Sequence, residues 1–363
     1  MKRIALCLLA FLLLLTPAEA KTQPDKKTKF PKFPKGVWLQ SQPLTEKIFK
    51  GKITFVYFWD YSSINCIREI KLVKEWAERY KASGLQMIWV HAPEFPFAGE
   101  QAHLERALER LGVSFPIFMD NQFRLWEGAK VRAWPTKLLV NGKKEIVFSQ
   151  AGEGGYIKTE RAIRGLLETS WPGIALPDPV LEKEPMSYSV NRCGAMTSET
   201  YLGYKRADWW GAQIANKQWA EHDREVAFKD RGERVERGFF AQGIWINREN
   251  NFTHGRATNE PMDYLGMIYS AHEVYALLES AGKSEPVFVT RDDEPVPQAL
   301  RGVDLKEDPE GKTFFLAQEP RLYYLIAKED EDDHEIRLWI QGKGVTIYSF
   351  SFSNRCLTDF DHL

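Results

Sequence analysis

The stretch ITFVYFWDYSSINC, residues 53–66, decides the fold of the first half of the chain. Its first seven residues, Ile53 to Trp59, are mostly β-branched or aromatic, as in a strand that is buried on both faces of a sheet. Beyond the turn, apolar side chains recur at the spacing of one helix face: Ile67, Ile70, Val73, Ala77 and Tyr80. The stretch therefore predicts a buried strand that leads directly into an amphipathic helix over Asn65 to Tyr80.

Downstream, the same alternation of strand-like and helix-like stretches continues. The pattern predicts a strand at 85–93, a helix at 98–112, a strand at 116–120, a hairpin at 136–149 and a helix at 158–168. The hairpin rests on Asn141-Gly142 between two apolar runs, a pair typical of tight turns between antiparallel strands. This order predicts an α/β domain whose central sheet is part parallel and part antiparallel, with helices on its faces.

A second domain is predicted beyond a proline-rich segment. WPGIALPDP, residues 171–179, interrupts the helical pattern, as linkers between domains do. Six strand-like runs follow, separated by charged or glycine-containing turns, at 238–246, 269–279, 286–291, 321–327, 334–340 and 345–352. Their number and spacing predict an all-β, jelly-roll-like antiparallel sandwich. We expect an α/β domain at 36–171, a linker at 172–186 and the sandwich at 187–363.

The amino terminus predicts export. Residues 1–20 combine two cationic residues, an apolar run and the small-residue end Ala18-x-Ala20, the pattern of a cleaved signal peptide. The apolar run from Ile4 to Leu15 is shorter than the roughly 20 residues of a membrane span. Residues 21–35 are rich in lysine and proline and predict a basic linker. We expect a periplasmic or secreted protein with no membrane span after signal cleavage.

Composition excludes several classes of protein. With 44% hydrophobic residues, including 12 Trp and 22 Phe, the chain is not disordered. A formal net charge of −1 provides no basis for binding nucleic acid. Neither Cys66 nor Cys193 has a second cysteine or a histidine at metal-ligand spacing. We therefore predict no metal, no cofactor and no nucleic-acid partner.

The strand-to-helix junction carries a resemblance to a known family. The first domain resembles the thioredoxin superfamily, in particular the extracytoplasmic redoxins of the TlpA and DipZ type, over roughly Trp38 to Glu168. The phrases that carry the resemblance are SINC at 63–66, VHAPEF at 90–95, Trp134-Pro135-Thr136 and GEGGY at 152–156. The second domain resembles the β-sandwich that follows the redoxin unit in DipZ-type proteins, chiefly through TSETYLGYKRA at 197–207.

The resemblance implies thiol chemistry, but the motif of this chain differs from C-x-x-C. Ser63 occupies the position of the attacking cysteine, and Cys66 that of the resolving cysteine. A hydroxyl group without an adjacent base does not attack a disulfide, so we expect no dithiol exchange. Two interpretations of Cys66 stay open: single-thiol, peroxidase-like chemistry through a sulfenic acid, or an inert buried thiol left from an ancestral motif.

The resemblance also implies further site residues. Pro135 corresponds to the cis-proline that faces the active helix and borders the groove for an extended substrate. The candidate substrate-binding residues are Trp59, Tyr61, Trp134 and Pro135. Glu69 lies one helical turn beyond Cys66, where a carboxylate tunes the pKa of the thiol.

Three cysteines follow the signal peptide: Cys66, Cys193 and Cys356. In an oxidising compartment, an odd count indicates one disulfide and one remaining thiol. Cys193 precedes the sandwich strands and Cys356 follows them, and the first and last strands of such sandwiches are often neighbours. We predict a Cys193–Cys356 disulfide that leaves Cys66 free.

The sequence is compatible with three functions, within an overall role in thiol redox homeostasis of the cell envelope. The first is single-thiol chemistry at Cys66. The second is binding of an extended peptide or a redox partner along the groove beside Pro135. The third is binding of carbohydrate or another envelope component by the β-sandwich.

Overall fold

A computed structural model describes residues 28–182, 196–210, 212–236, 238–328, 330 and 332–354. The predicted signal peptide, most of the basic linker, and both cysteines of the predicted disulfide lie outside the described residues. Among the described residues, no helix combines the length and the apolar character that a membrane span requires.

The first domain is built on a six-stranded mixed sheet. Its elements are β1 Trp38–Leu39, β2 Ile53–Trp59, α1 Ile64–Lys81, β3 Leu85–His91, α2 Gln101–Leu111, β4 Ile117–Met119, α3 Arg124–Gly128, β5 Thr136–Val140, β6 Ile146–Ala151 and α4 Tyr156–Ser170. The strand order is β1-β4-β3-β2-β5-β6. The neighbours β2, β3 and β4 pair in parallel, and the other pairings are antiparallel.

The central strand β2 explains why its sequence is a continuous apolar run. Phe55, Tyr57 and Trp59 enter the core on one face of the sheet. Val56 and Phe58 enter a second core on the opposite face. Because successive side chains of a strand point to opposite faces, a strand covered on both sides must be apolar throughout.

The predicted elements of this domain are present, with two additions and one shift. The additions, β1 and α3, have two and five residues, too few to produce a periodic pattern. The predicted helix at 98–112 is divided into a 3-10 turn at Pro96–Gly99 and α2. Gly112 ends α2 in the left-handed conformation that glycine adopts most easily, with φ 58°.

The second domain is an antiparallel β-sandwich. Its strands are β7 Thr200–Tyr201, β8 Glu225–Phe228, β9 Phe239–Asn247, β10 Phe252–His254, β11 Asp263–Tyr269, β12 Glu273–Ser280, β13 Glu285–Arg291, β14 Glu294–Pro295, β15 Lys306–Glu307, β16 Thr313–Ala317, β17 Arg321–Ile326, β18 His334–Ile340 and β19 Val345–Ser353. A short helix, α5 Tyr204–Trp210, follows β7.

One strand belongs to both layers of the sandwich. Strand β9 pairs with β11 at the end of the layer β15-β16-β13-β18-β11. It also pairs with β10 at the start of the layer β10-β19-β12-β17. The six predicted runs correspond to β9, β12, β13, β17, β18 and β19. The first strand, β7, pairs with the last, β19, through Thr200 opposite Phe350.

The sandwich packs against the loop that follows β3. Tyr348 places its ring 5.3 Å from that of Phe95 and 4.6 Å from that of Phe97, measured between centroids. Nearby, the Arg68 guanidinium on α1 donates to the carbonyl of Phe352 at 3.3 Å. The contact therefore lies at the end of the first domain that carries the start of α1.

Candidate functional site

The junction between β2 and α1 is held by one carboxylate. Asp60 accepts hydrogen bonds from the backbone N–H and the hydroxyl of Ser62, at 2.5 and 2.6 Å, and from the backbone N–H of Glu94 at 2.5 Å. These bonds tie the end of β2 to the loop after β3. Ser63 then occupies the N-cap position of α1 in an extended conformation, and its side chain makes no capping hydrogen bond.

The thiol of Cys66 is enclosed. Its side chain has no exposed surface, and burial raises the pKa of the thiol well above its usual value. Hydrogen bonds from the Asp60 backbone and the Ser63 side chain favour the thiolate but do not offset the burial. Because the thiolate is the nucleophilic form, burial and the raised pKa both oppose reaction of Cys66 at neutral pH. This arrangement favours the second of the two interpretations given above.

A buried ion pair lies one helical turn beyond Cys66. Lys137 on β5 places Nζ 2.9 and 2.8 Å from the two carboxylate oxygens of Glu69, and donates to the carbonyl of Gly152 at 3.1 Å. Both charged side chains are fully buried. Burial raises the pKa of Glu69 to about 7, although Lys137 opposes the shift.

Lys137 was not among the predicted site residues. Its only signal in the sequence is a lysine within the apolar run TKLLV, since a lysine in a buried strand requires a partner. Glu69 was predicted to tune the thiol: its charge is among the smaller causes that raise the pKa of Cys66, and its carboxylate pairs directly with Lys137.

A cleft of about 700 Å³ lies between the two domains and beside the start of α1. The first domain contributes Ser63, Asn65, Glu94, Arg132, Trp134 and Glu153 to its walls. The second domain contributes Ser198, Glu199, Tyr201 and Arg206. The position of the missing nucleophile therefore faces a cavity that neither domain forms alone.

The predicted substrate-binding residues divide into two pairs. Trp134 lines the cleft, donates from its indole N–H to the carbonyl of Ala92 at 2.8 Å, and precedes Pro135 through a cis peptide bond. Trp59 and Tyr61 are fully buried and do not line the cleft. The family resemblance implied Trp59 and Tyr61 as substrate-binding residues, whereas both side chains are enclosed in the core that covers one face of the sheet.

Polar contacts cross from one wall of the cleft to the other. Arg206 forms an ion pair with the Glu94 carboxylate and donates to the Glu94 carbonyl at 3.1 Å. The Tyr201 hydroxyl donates to the same carboxylate at 3.1 Å. Burial raises the pKa of Glu94 to about 8, and the nearby Glu199 and Asp60 carboxylates add to the shift.

The residues at this crossing come from two of the phrases that carry the family resemblance. Glu94 belongs to VHAPEF in the first domain, while Tyr201 and Arg206 belong to TSETYLGYKRA in the second. The sequence alone did not indicate that these two phrases contact each other. That contact depends on how the two domains pack against each other. The spacing of apolar residues within either domain does not indicate this packing.

We predict that Cys66 does not react with a thiol probe in the native protein. Burial and the raised pKa of the thiol both oppose attack on an aromatic disulfide reagent. We expect labelling at Cys66 only after unfolding in guanidinium, as measured by peptide mapping. Dimedone labelling of Cys66 after mild peroxide treatment of the folded protein would show that single-thiol chemistry survives.

Comparisons with known proteins place the chain in a family. Residues 197–353 match the family described as "Thioredoxin like C-terminal domain". Protein DipZ of Mycobacterium tuberculosis is 31% identical over 270 residues, which cover 73% of this chain and 36% of DipZ. The chain therefore spans about a third of the length of this relative.

Two further relatives are similar to the first domain. Thiol-disulfide oxidoreductase ResA of Halalkalibacterium halodurans is 28% identical over 134 residues, covering 37% of this chain and 71% of ResA. A solution structure of a putative thioredoxin from Neisseria meningitidis is 23% identical, with a TM-score of 0.35, and covers 40% of this chain and 92% of its own. From the sequence matches and the fold together, the chain belongs to the redoxins of the thioredoxin superfamily.

Proposed function

We propose that this redoxin has lost dithiol exchange and acts as an exported binding protein in thiol redox homeostasis of the cell envelope. Its cleft would hold an extended segment of a polypeptide substrate or redox partner. One observation carries the proposal: Ser63, in the place of the attacking cysteine, lines the cleft although it is largely buried, while Cys66 has no exposed surface and is not part of the cleft lining. The cleft has room for a ligand, but no cysteine stands at the position of the attacking nucleophile.

The size and chemistry of the cleft support a peptide ligand. Its volume of about 700 Å³ lies within the range of about 300 to 1,000 Å³ that is common for ligand sites. The half-buried indole of Trp134 provides an apolar surface, and charged side chains of both signs surround it. A mixed lining of this kind suits a polypeptide, which offers backbone polar groups and varied side chains.

Export is part of the proposal because residues 1–20 have the pattern of a signal peptide. The alternative, carbohydrate binding by the sandwich, would require an exposed aromatic platform. Two aromatic side chains of the sandwich are buried and cannot belong to such a platform: Trp245 packs against Phe252, and Tyr201 lies at the contact with the first domain. These positions favour the cleft as the binding site.

The proposal is tested by peptide binding. Fluorescent nine-residue peptides of varied sequence, blocked at both ends, are titrated with the protein and followed by anisotropy. Trp134→Ala is expected to weaken binding about tenfold, as loss of a central aromatic contact does. Trp171→Ala, which removes a half-buried tryptophan outside the cleft, is the matched control and should leave affinity unchanged.

The same preparation is assayed for insulin reduction, where we expect no turnover by the wild-type protein. Sustained disulfide reduction that depends on Cys66 would contradict the loss of dithiol exchange. If no peptide binds, or if Trp134→Ala and Trp171→Ala behave alike, the cleft is not the binding site.

A further inference from the structure

The interdomain cleft has an imbalance of buried charge. Its carboxylates are Glu94, Glu153 and Glu199. Glu153 is neutralised by Arg68, with Nη2 and Oε2 2.6 Å apart and both side chains more than nine-tenths buried. Arg206 is engaged by Glu94, through both its carboxylate and its backbone carbonyl. Glu199 is the remaining carboxylate on the cleft wall.

Glu199 has polar contacts but no ion pair with any Lys or Arg among the residues that the structure describes. Its carboxylate accepts a hydrogen bond from the Ser351 hydroxyl at 2.9 Å, and the Tyr201 hydroxyl also interacts with it. Burial raises the pKa of Glu199, and burial is likewise the main cause of the raised pKa of Glu94. The Arg68 and Arg206 guanidinium groups both lower the pKa of Glu199, but each is itself paired with another carboxylate, Glu153 and Glu94, and burial outweighs their effect.

We infer that the cleft selects a polypeptide ligand bearing a cationic group, an ammonium or guanidinium, which binds between Glu199 and Glu94. This inference rests on the proposed function and adds the chemistry of the ligand. A cation would form a charge-assisted hydrogen bond to Glu199, which has no ion-pair partner in the part of the chain that the structure describes. The ammonium can belong to an internal lysine or to a free amino terminus.

An anionic or apolar side chain fits this position less well. Both terminal nitrogens of Arg206 donate to Glu94, so the guanidinium offers an incoming anion only its remaining donors. Arg132, the other cation of the lining, is exposed to solvent, which weakens its attraction for an anion. An apolar side chain would remove water from Glu199 without replacing the lost hydrogen bonds.

The test uses the full-length mature protein and peptides that differ at one position. Three nine-residue peptides, blocked at both ends, carry lysine, norleucine or glutamate at the centre of an otherwise neutral sequence. Norleucine has the apolar stem of lysine without its charge. A fourth peptide carries norleucine and a free amino terminus. Affinities are measured by anisotropy at low ionic strength, where electrostatic selectivity is greatest.

We expect the lysine peptide to bind about tenfold more tightly than the norleucine peptide, and the glutamate peptide to bind most weakly. Glu199→Gln should remove the preference for lysine over norleucine, as measured by the ratio of the two affinities within the variant. Glu109→Gln, at an exposed position on α2 outside the cleft, is the charge-matched control and should keep the preference. The comparison of wild-type affinities tests the inference even if Glu199→Gln does not fold.

Each outcome has a distinct meaning. Equal affinity for all four peptides overturns the inference and leaves peptide binding in place. A preference for lysine that persists in Glu199→Gln also overturns it. Tight binding of the free-amino-terminus peptide alone supports a cation site that receives the chain terminus. Absence of binding by every peptide overturns both the inference and the proposed function.

Discussion

Lys137→Met is expected to lower the free energy of unfolding by about 3 to 5 kcal/mol, because the substitution leaves a buried carboxylate without its cation. Glu69 is fully buried, and Lys137 is its only ion-pair partner in the part of the chain that the structure describes. The methionine side chain fills similar space, so the loss is electrostatic. Urea unfolding of the variant and the wild type at pH 8 measures it.

The same variant has a distinctive pH dependence. A carboxyl group is ionised above about pH 4.3 in the unfolded chain, whereas the folded-state pKa of Glu69 is about 7. The folded protein therefore binds more protons between these values, and the contribution of Glu69 to stability falls as pH rises through them. Removing Lys137 raises the pKa of Glu69 further, so the deficit should be larger at pH 8 than at pH 5.

Two controls distinguish the effect of breaking the buried Glu69–Lys137 pair from the effect of replacing any lysine. Lys205→Met disrupts an exposed pair with Glu249, in which the side chains are 63% and 51% exposed, and should leave the free energy of unfolding nearly unchanged because water screens the pair. The double variant Glu69→Gln/Lys137→Met should recover much of the loss, because no buried charge remains. If Lys137→Met lowers the free energy of unfolding no more than Lys205→Met does, the Glu69–Lys137 pair has no structural role.

Ser63→Cys is expected to convert an inactive protein into one that reduces disulfides. The introduced thiol would stand at the start of α1, where the helix dipole and the unpaired backbone N–H groups stabilise a thiolate. Cys66 lies one turn away and would resolve the mixed disulfide. The rate of reduction of a fluorescent glutathione disulfide should rise at least about tenfold over the wild type, since a competent nucleophile is added.

The control for this gain is the double variant Ser63→Cys/Cys66→Ala, which keeps the new nucleophile but cannot resolve the mixed disulfide. Without added reductant, the double variant should release one glutathione per protein and retain the other as a mixed disulfide, whereas Ser63→Cys should release both as its two thiols are oxidised to a disulfide. A folded Ser63→Cys protein that remains inactive on the small disulfide would indicate that closure of the second domain, or the environment of Cys66, has also abolished exchange.

Local patterns predicted most of the first domain. The fully buried β2, the amphipathic α1 and the Asn-Gly hairpin follow from the period of the apolar residues, which reflects the surfaces that each element buries. Elements as short as β1 contain no full period and could not be found in this way. In the sandwich, β8, β10 and β11 were missed because burial on one face leaves only short alternating patterns.

The site was predictable only where its residues are close in sequence. Ser63, Cys66 and Glu69 follow from their spacing at the start of α1. Lys137 joins them from a strand 68 residues away. Glu199 and Arg206 reach the cleft from another domain, and their contribution depends on a packing arrangement that the residues of either domain alone do not specify.

The contact of Tyr348 with Phe95 and Phe97 has a consequence for the evolution of the chain. The two phenylalanines are almost fully buried, partly beneath a residue of the other domain, so a separated first domain would present an apolar patch to water. Substitutions at this contact in one domain are therefore constrained by the residues of the other domain. The two domains are therefore expected to be inherited together, as one unit of selection.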